Sequence, residues 1–198
     1  MSTRISKEGR LLDRNKPLSF TFNGKNLFGF QGDTLASALL ANNQVLLGRS
    51  FKYHRPRGLV SSGVEEPNAL MSLGHGSNFE PNRSATMVEL MDGIEAVSQN
   101  HLGSLEWDLG AVNNFFAKIF PAGFYYKTFM RPRFAWKHLF EPVIRNAAGL
   151  GRAPTVPDQS SYDYFYAHVD VLVVGAGISG FLMTYELAKS GLNVLLVE

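Results

Sequence analysis

The sequence predicts an α+β unit followed, after a connector, by the opening β-α-β unit of an α/β domain. Two observations carry this prediction. Apolar and polar side chains alternate over residues 18–30 around a tight-turn dipeptide, and helical spacing follows at once. Residues 169–198 contain an apolar β-branched run, three spaced glycines, a helical stretch and a second apolar run. The predicted fold class is therefore α+β joined to an incomplete α/β unit.

The first unit begins with a predicted β-hairpin. Asn23-Gly24 separates two apolar stretches and supplies the positive φ angles of a two-residue turn. Asp33 or Thr34 then caps a short helix, because a side-chain oxygen there can accept a hydrogen bond from the first helical turn. A β-β-α start favours a β-grasp domain.

The rest of this unit and the connector show weaker patterns. Residues 47–82 are rich in glycine and proline and predict loops, whereas residues 85–90 predict one more strand. From Val112 onward, prolines cut an aromatic and basic segment into short helices that need a neighbouring domain or subunit to pack on. The predicted organisation is a polar segment 1–17, a β-grasp domain 18–110, a helical connector and linker 111–163, and the start of an α/β domain 164–198.

The glycines near the carboxyl end carry the chemistry. Gly175 permits a sharp turn after the strand, Gly177 leaves room for a pyrophosphate, and Gly180 lets the following helix lie close to the strand. That helix, predicted over residues 178–189, points the positive end of its dipole at the phosphates. Glu198 follows Gly180 by 18 residues, near the ~20 expected for an acid that binds the adenosine ribose.

This arrangement predicts a Rossmann-like dinucleotide site. A glycine-rich turn without a ligand is the alternative interpretation of the glycines alone, but here strand, glycines, helix, strand and acid occur in register. The acid disfavours a 2′-phosphate, so NAD is expected, with FAD as the alternative at the same motif. The predicted cofactor-binding residues are Gly175, Ala176, Gly177, Ile178, Ser179, Gly180 and Glu198.

Composition argues against several other classes of protein. The formal net charge is only +2, so no global field favours nucleic acid or an anionic membrane as a partner. The lack of cysteine removes thiolate catalysis and ordinary iron–sulfur clusters, and the isolated histidines predict no metal site. Neither a signal sequence nor a run of ~20 apolar residues is evident, so a cytoplasmic location is expected.

Residues 49–57 form a basic loop with two interpretations. Its arginines suit a cofactor phosphate or an acidic partner surface. The alternative, which charge alone favours, is a solvated loop with structural ion pairs to Glu65 and Glu66. Glu106 and Asp108 flank a tryptophan and are interpreted as surface residues without an acid–base role. No catalytic residue is assigned.

Several longer strings, in order along nearly the whole chain, resemble the α subunit of heterotetrameric sarcosine oxidase. They are GRSFKYHRPRG (48–58), EPNAL (66–70), SQN (98–100), AGFYYKTFM (122–130) and AAGLG (147–151), all leading into the glycine motif. Ile178-Ser179 stands where that family usually has Pro-Ala, a change that leaves the three glycines untouched.

The resemblance implies a ferredoxin-like first domain without its cluster, in agreement with the lack of cysteine, and NAD at the glycine motif. It implies FMN at the boundary with a β subunit, and smaller subunits in the same hetero-oligomer. The implied activity is that of an oxidoreductase acting on CH–NH donors. It converts sarcosine to glycine, forms hydrogen peroxide and passes a one-carbon unit to tetrahydrofolate or releases it as formaldehyde. The small-molecule amine is handled elsewhere in that assembly, so this chain alone is expected to be inactive.

Family members extend far beyond residue 198, so a fragment is expected. Two predicted parallel strands would also leave apolar faces uncovered. Two alternatives stay open. One is a truncated, non-catalytic binding or interaction piece, and the other is a subunit of a related secondary-amine dehydrogenase of the opine or proline type.

Overall fold

The computed structural model describes residues 2–5, 8–117, 129 and 131–198. It divides into two compact units, Met1–Gln159 and Ser160–Glu198. The strands are β1 (Asp13–Phe22), β2 (Lys25–Gln31), β3 (Gly48–Arg49), β4 (Pro56–Arg57), β5 (Leu70–Leu73), β6 (Glu80–Ser84), β7 (Ile94–Ser98), β8 (Val171–Val174) and β9 (Val194–Val197). The α-helices are α1 (Leu35–Ala41), α2 (Glu141–Ala147) and α3 (Ile178–Lys189).

The first unit is built on a mixed sheet with the strand order β2-β1-β7-β5-β6. β1 runs antiparallel to β2 and parallel to β7, whereas β5 runs antiparallel to both β6 and β7. Alternation along β1 places Phe20 and Phe22 on the same face of the sheet. There they join Leu35 and Leu39 of α1 and Met71 of β5 in one buried core.

The predicted hairpin is confirmed. Asn23 and Gly24 have φ angles of 48° and 76°, as a two-residue turn between twisted strands requires. β1 begins at Asp13, earlier than the predicted start at residue 18. Asp13 pairs with Gln31 of β2, although the register shifts between Asp13 and Pro17. Side chains of this extension are mostly exposed, so apolar alternation could not reveal it.

Thr34 is the residue that caps α1. Its hydroxyl accepts a hydrogen bond from the Ser37 N–H, and the Ser37 hydroxyl accepts one from the Thr34 N–H, which completes a capping box. Asp33, the other candidate, is buried and forms a bidentate pair with Arg4, at 3.0 and 2.7 Å. Asp33 therefore joins the amino-terminal segment to the helix start.

The predicted strand over residues 85–90 is wrong. The Leu35 N–H donates to Val88 O and the Leu90 N–H donates to Asp33 O, so this segment uses its backbone to hold the start of α1. Ala85, Val88 and Leu90 are buried, which explains the strand-like pattern. The actual strands are β6 and β7 on either side of this segment.

The connector contains short helices where the structure describes it. A 3-10 helix spans Leu109–Asn114, and a π-helix, Trp136–Phe140, leads directly into α2. Residues 118–128 and 130, where further short helices are predicted, lie outside the described residues. Within the described ranges, no helix is both long enough and apolar enough to cross a membrane.

The second unit is the predicted β-α-β arrangement. β8 and β9 are parallel and in register from Val171↔Val194 to Val174↔Val197, and α3 connects them. The sequence predicts that β8 is buried on both faces, but Val174 is 77% exposed. Two strands and one helix leave part of an apolar sheet uncovered.

Candidate dinucleotide-binding site

The glycine loop joins the carboxyl end of β8 to α3. Gly175 has a φ of +101°, and its N–H donates to Val197 O at 2.7 Å, which bends the chain at the end of the sheet. A Cβ built on Gly175 or Gly177 would meet no atom within 4 Å. The outer face of the loop is therefore open backbone, with room for a ligand.

Gly180 has the opposite environment. A Cβ at this position would overlap the carbonyl oxygen of Gly175 and lie 3.1 Å from its carbonyl carbon. The same Cβ would lie 3.6 Å from Val173 Cγ1 of the strand. Glycine at position 180 thus allows α3 to approach both the loop and β8 closely.

α3 begins directly at the loop. Gly177 is its N-cap, and the Phe181 N–H donates to Gly177 O at 2.9 Å. The N–H groups of Ile178, Ser179 and Gly180 in the first turn have no intrahelical acceptors by helix geometry. Together with the helix dipole, they form a region that attracts a phosphate.

Glu198 lies at the same end of the sheet, because the parallel strands β8 and β9 end side by side. Its carboxylate accepts a hydrogen bond from the Ala176 N–H, so the acid contacts the glycine loop itself. The structure thus brings the predicted residues together: Gly175, Ala176, Gly177, Ile178, Ser179, Gly180 and Glu198. Within the described residues, no three His, Cys, Asp or Glu side chains gather as a metal site would require.

The basic loop is tied to the segment that follows the first sheet. Arg49 Nε donates to Leu105 O at 2.8 Å, and a terminal guanidinium nitrogen donates to Glu106 O at 2.9 Å. Arg55 Nε donates to Asn114 Oδ1 at 2.9 Å. These contacts give the loop a structural role, although the acceptors are uncharged carbonyl and amide oxygens.

The partner of the loop is Asp108 rather than Glu66. Asp108 Oδ2 lies 2.6 Å from His54 Nδ1, and Asp108 Oδ1 accepts hydrogen bonds from the Leu102 and Gly110 N–H groups. The interpretation of Asp108 as a surface residue is therefore wrong, since its side chain is fully buried.

Glu66 has a different role from the predicted ion pair. Its carboxylate is buried and accepts hydrogen bonds from the backbone N–H groups of Val60, Ser61 and Asn68. These hydrogen bonds stabilise the loop over residues 60–68. The predicted ion pair between Glu66 and an arginine of the basic loop is wrong. Glu106 does lie at the surface, where it pairs with Lys25 at 3.0 Å.

The buried carboxylates predict acid sensitivity. Burial raises the pKa of Asp108, but hydrogen bonds from Leu102, His54 and Gly110 outweigh it, and the net pKa lies below the ordinary 3.8. A depressed folded-state pKa stabilises the fold above the unfolded value, and this stabilisation is lost as pH falls through the folded value. We expect the free energy of unfolding, measured with urea, to fall steeply below about pH 4.

The control for this prediction is Asp108→Asn, which cannot ionise. Its stability is expected to change less between pH 5 and about pH 3 than that of the unmodified chain. Equal slopes in the two proteins would contradict the assignment of the acid sensitivity to Asp108.

Comparison with known proteins yields relatives along the whole chain. The sarcosine oxidase α subunit of Rhizobium meliloti (strain 1021) is 53% identical over 197 residues, which is 100% of this chain. Along its whole length the chain is similar to sarcosine oxidase α subunits. The corresponding subunits of Corynebacterium sp. strains U-96 and P-1 are 32% and 33% identical over 96% and 94% of the chain.

The homologous region is a small part of those relatives. The chain spans 20% of the R. meliloti sarcosine oxidase α subunit and 15% of each Corynebacterium subunit. A solved structure described as L-proline dehydrogenase from P.horikoshii is 20% identical in sequence, with a TM-score of 0.42. The match covers 93% of this chain and 25% of the chain in that structure.

Two domain families match parts of the chain. Residues 173–198 match an NAD(P)-binding Rossmann-like domain, which agrees with the predicted dinucleotide motif. Residues 15–101 match a domain described as a 2Fe-2S iron-sulfur cluster binding domain. The chain contains no cysteine, so the thiolates that ordinarily hold such a cluster are lacking in it. A ferredoxin-like domain is thus combined with a Rossmann-like segment.

Proposed function

We propose that the chain is the amino-terminal portion of the α subunit of a sarcosine oxidase-type flavoenzyme. In that assembly it contributes dinucleotide binding and contacts to a β subunit and smaller subunits. The proposed reaction is the oxidative demethylation of sarcosine to glycine, with peroxide formation and transfer of the one-carbon unit to tetrahydrofolate. The 53% identity over the whole chain supports this assignment.

The site proposed for NAD, or for FAD as the alternative, is the glycine loop with Glu198. The observation that carries it is the contrast between Gly180, where a Cβ is excluded by the loop backbone, and Gly177, where bare backbone faces open space. The N–H groups in the first turn of α3 would bind the pyrophosphate, and the Glu198 carboxylate would accept hydrogen bonds from the ribose hydroxyls. When bound, such a cofactor supplies the redox chemistry. FMN is proposed at the boundary with the β subunit.

The test is calorimetric titration of the purified 198-residue chain with NAD, FAD and NADP, after gel filtration. We expect saturable binding of NAD or FAD, and binding of NADP at least ~10-fold weaker, because a 2′-phosphate would face the Glu198 carboxylate. A Glu198→Gln variant is expected to reduce the difference between the binding affinities for NAD and NADP. A well-folded chain that binds none of the three nucleotides would refute the proposed site.

A further inference from the structure

A groove of about 700 Å³ opens on the first unit, between the β5–β6 hairpin and the chain leading into β7. Its floor is apolar and includes Val88, which is buried, and Ile94, which is partly buried. Two methionines of the lining, Met87 and Met91, are 48% and 62% exposed. A single exposed apolar side chain is ordinary, whereas a pair beside an apolar floor marks a surface suited to binding.

The rim of this groove is acidic. Its carboxylates are Glu80, Glu89, Asp92 and Glu95. Arg83 pairs with one of them at 2.7 Å, and His75 lies 3.1 Å from another. With histidine counted as neutral, four carboxylates and one guanidinium give the groove lining a formal charge of −3. The formal net charge of the whole chain is +2. Negative charge is therefore concentrated at this groove.

We propose that this acidic groove binds a cationic amphipathic segment of a partner polypeptide. An apolar side chain of that segment would cover Met87 and Met91, and flanking lysines or arginines would face the acidic rim. Flexible, polarizable methionines adapt to such an anchor, and opposite charge orients the segment. The proposal rests on the subunit contacts of the proposed function, to which it gives a surface and a partner chemistry, and it is independent of nucleotide binding.

Two synthetic peptides of equal length provide the probes. One combines leucine with lysine at helical amphipathic spacing, and the other has glutamate in place of each lysine. Fluorescence anisotropy with the 198-residue chain, at about 0.15 M salt, measures both affinities. We expect saturable binding of the lysine peptide and at least ~10-fold weaker binding of the glutamate peptide.

Two variants separate the acidic rim from the apolar surface. Glu89→Lys reverses an exposed charge and Met91→Ser removes an exposed apolar group, and each is expected to weaken binding of the lysine peptide at least ~5-fold. Glu65→Lys makes the same charge change at an exposed position outside the groove and is expected to leave binding unchanged. Affinity for NAD or FAD is expected to be the same in all three, which separates failure of this proposal from failure of the nucleotide site.

Several outcomes would overturn the proposal. Equal binding of the two peptides, or binding insensitive to both groove variants, would show that the groove does not select a cationic apolar segment. Self-association of the chain that Met91→Ser abolishes would assign the groove to a second copy instead. Binding of lysine amide as tight as that of the lysine peptide would assign it to a small cation.

Discussion

Gly180→Ala is expected to weaken NAD or FAD binding by at least ~100-fold, equivalent to ~2.8 kcal/mol. The added methyl group would overlap the Gly175 carbonyl oxygen, which belongs to backbone and cannot rotate away. The start of α3 would have to move off β8, taking the phosphate-binding N–H groups with it. Calorimetric titration measures the affinity, and hydrogen exchange of the α3 amides measures the local opening.

Gly177→Ala is the matched control for that prediction. Its methyl group meets no protein atom within 4 Å, and the φ of −60° suits alanine, so protection of α3 is expected to be unchanged. Binding should still weaken, because the methyl group occupies space reserved for the pyrophosphate. Unchanged affinity in both variants would remove the glycine loop from the proposed site.

The sequence could predict these local features because their causes are local. A turn with two positive φ angles demands residues such as Asn23-Gly24, and a helix approaching within contact distance of a strand demands Gly180. Thr34 and Ser37 form their capping box three residues apart. In each case the residues that determine the geometry lie within one turn or one β-α-β unit of each other.

The contacts that sequence reasoning missed join distant segments. His54 and Asp108 are 54 positions apart, and Arg4 and Asp33 are 29 positions apart. No spacing rule brings such residues together, since the sheet between them sets their positions. For the same reason, the apolar pattern of residues 85–90 predicts a strand, whereas their backbone caps the start of α1.

Asp108→Ala is expected to lower the free energy of unfolding of the first unit by about 3 kcal/mol. The buried carboxylate accepts hydrogen bonds from His54 and from two backbone N–H groups, and Arg49 Nε lies 3.9 Å away. Removing it leaves the His54 and Gly110 donors buried without an acceptor, which costs more than the loss of any single hydrogen bond. The basic loop would lose the contact between His54 and Asp108, while the hydrogen bonds of Arg49 and Arg55 to this segment would remain. Urea unfolding at pH 7 measures the effect.

The chain offers a close control in Glu106→Ala, two positions away. The Glu106 carboxylate is 53% exposed and pairs with Lys25 at the surface, so its removal is expected to cost no more than about 0.5 kcal/mol. Asp108→Asn keeps one acceptor oxygen and should fall between the two alanine variants. Equal losses for Asp108→Ala and Glu106→Ala would contradict the role of Asp108, because burial and the three donors are what distinguish the two carboxylates. A large loss of stability confined to Asp108→Ala would mean that this carboxylate stabilises the packing of the basic loop within the first unit.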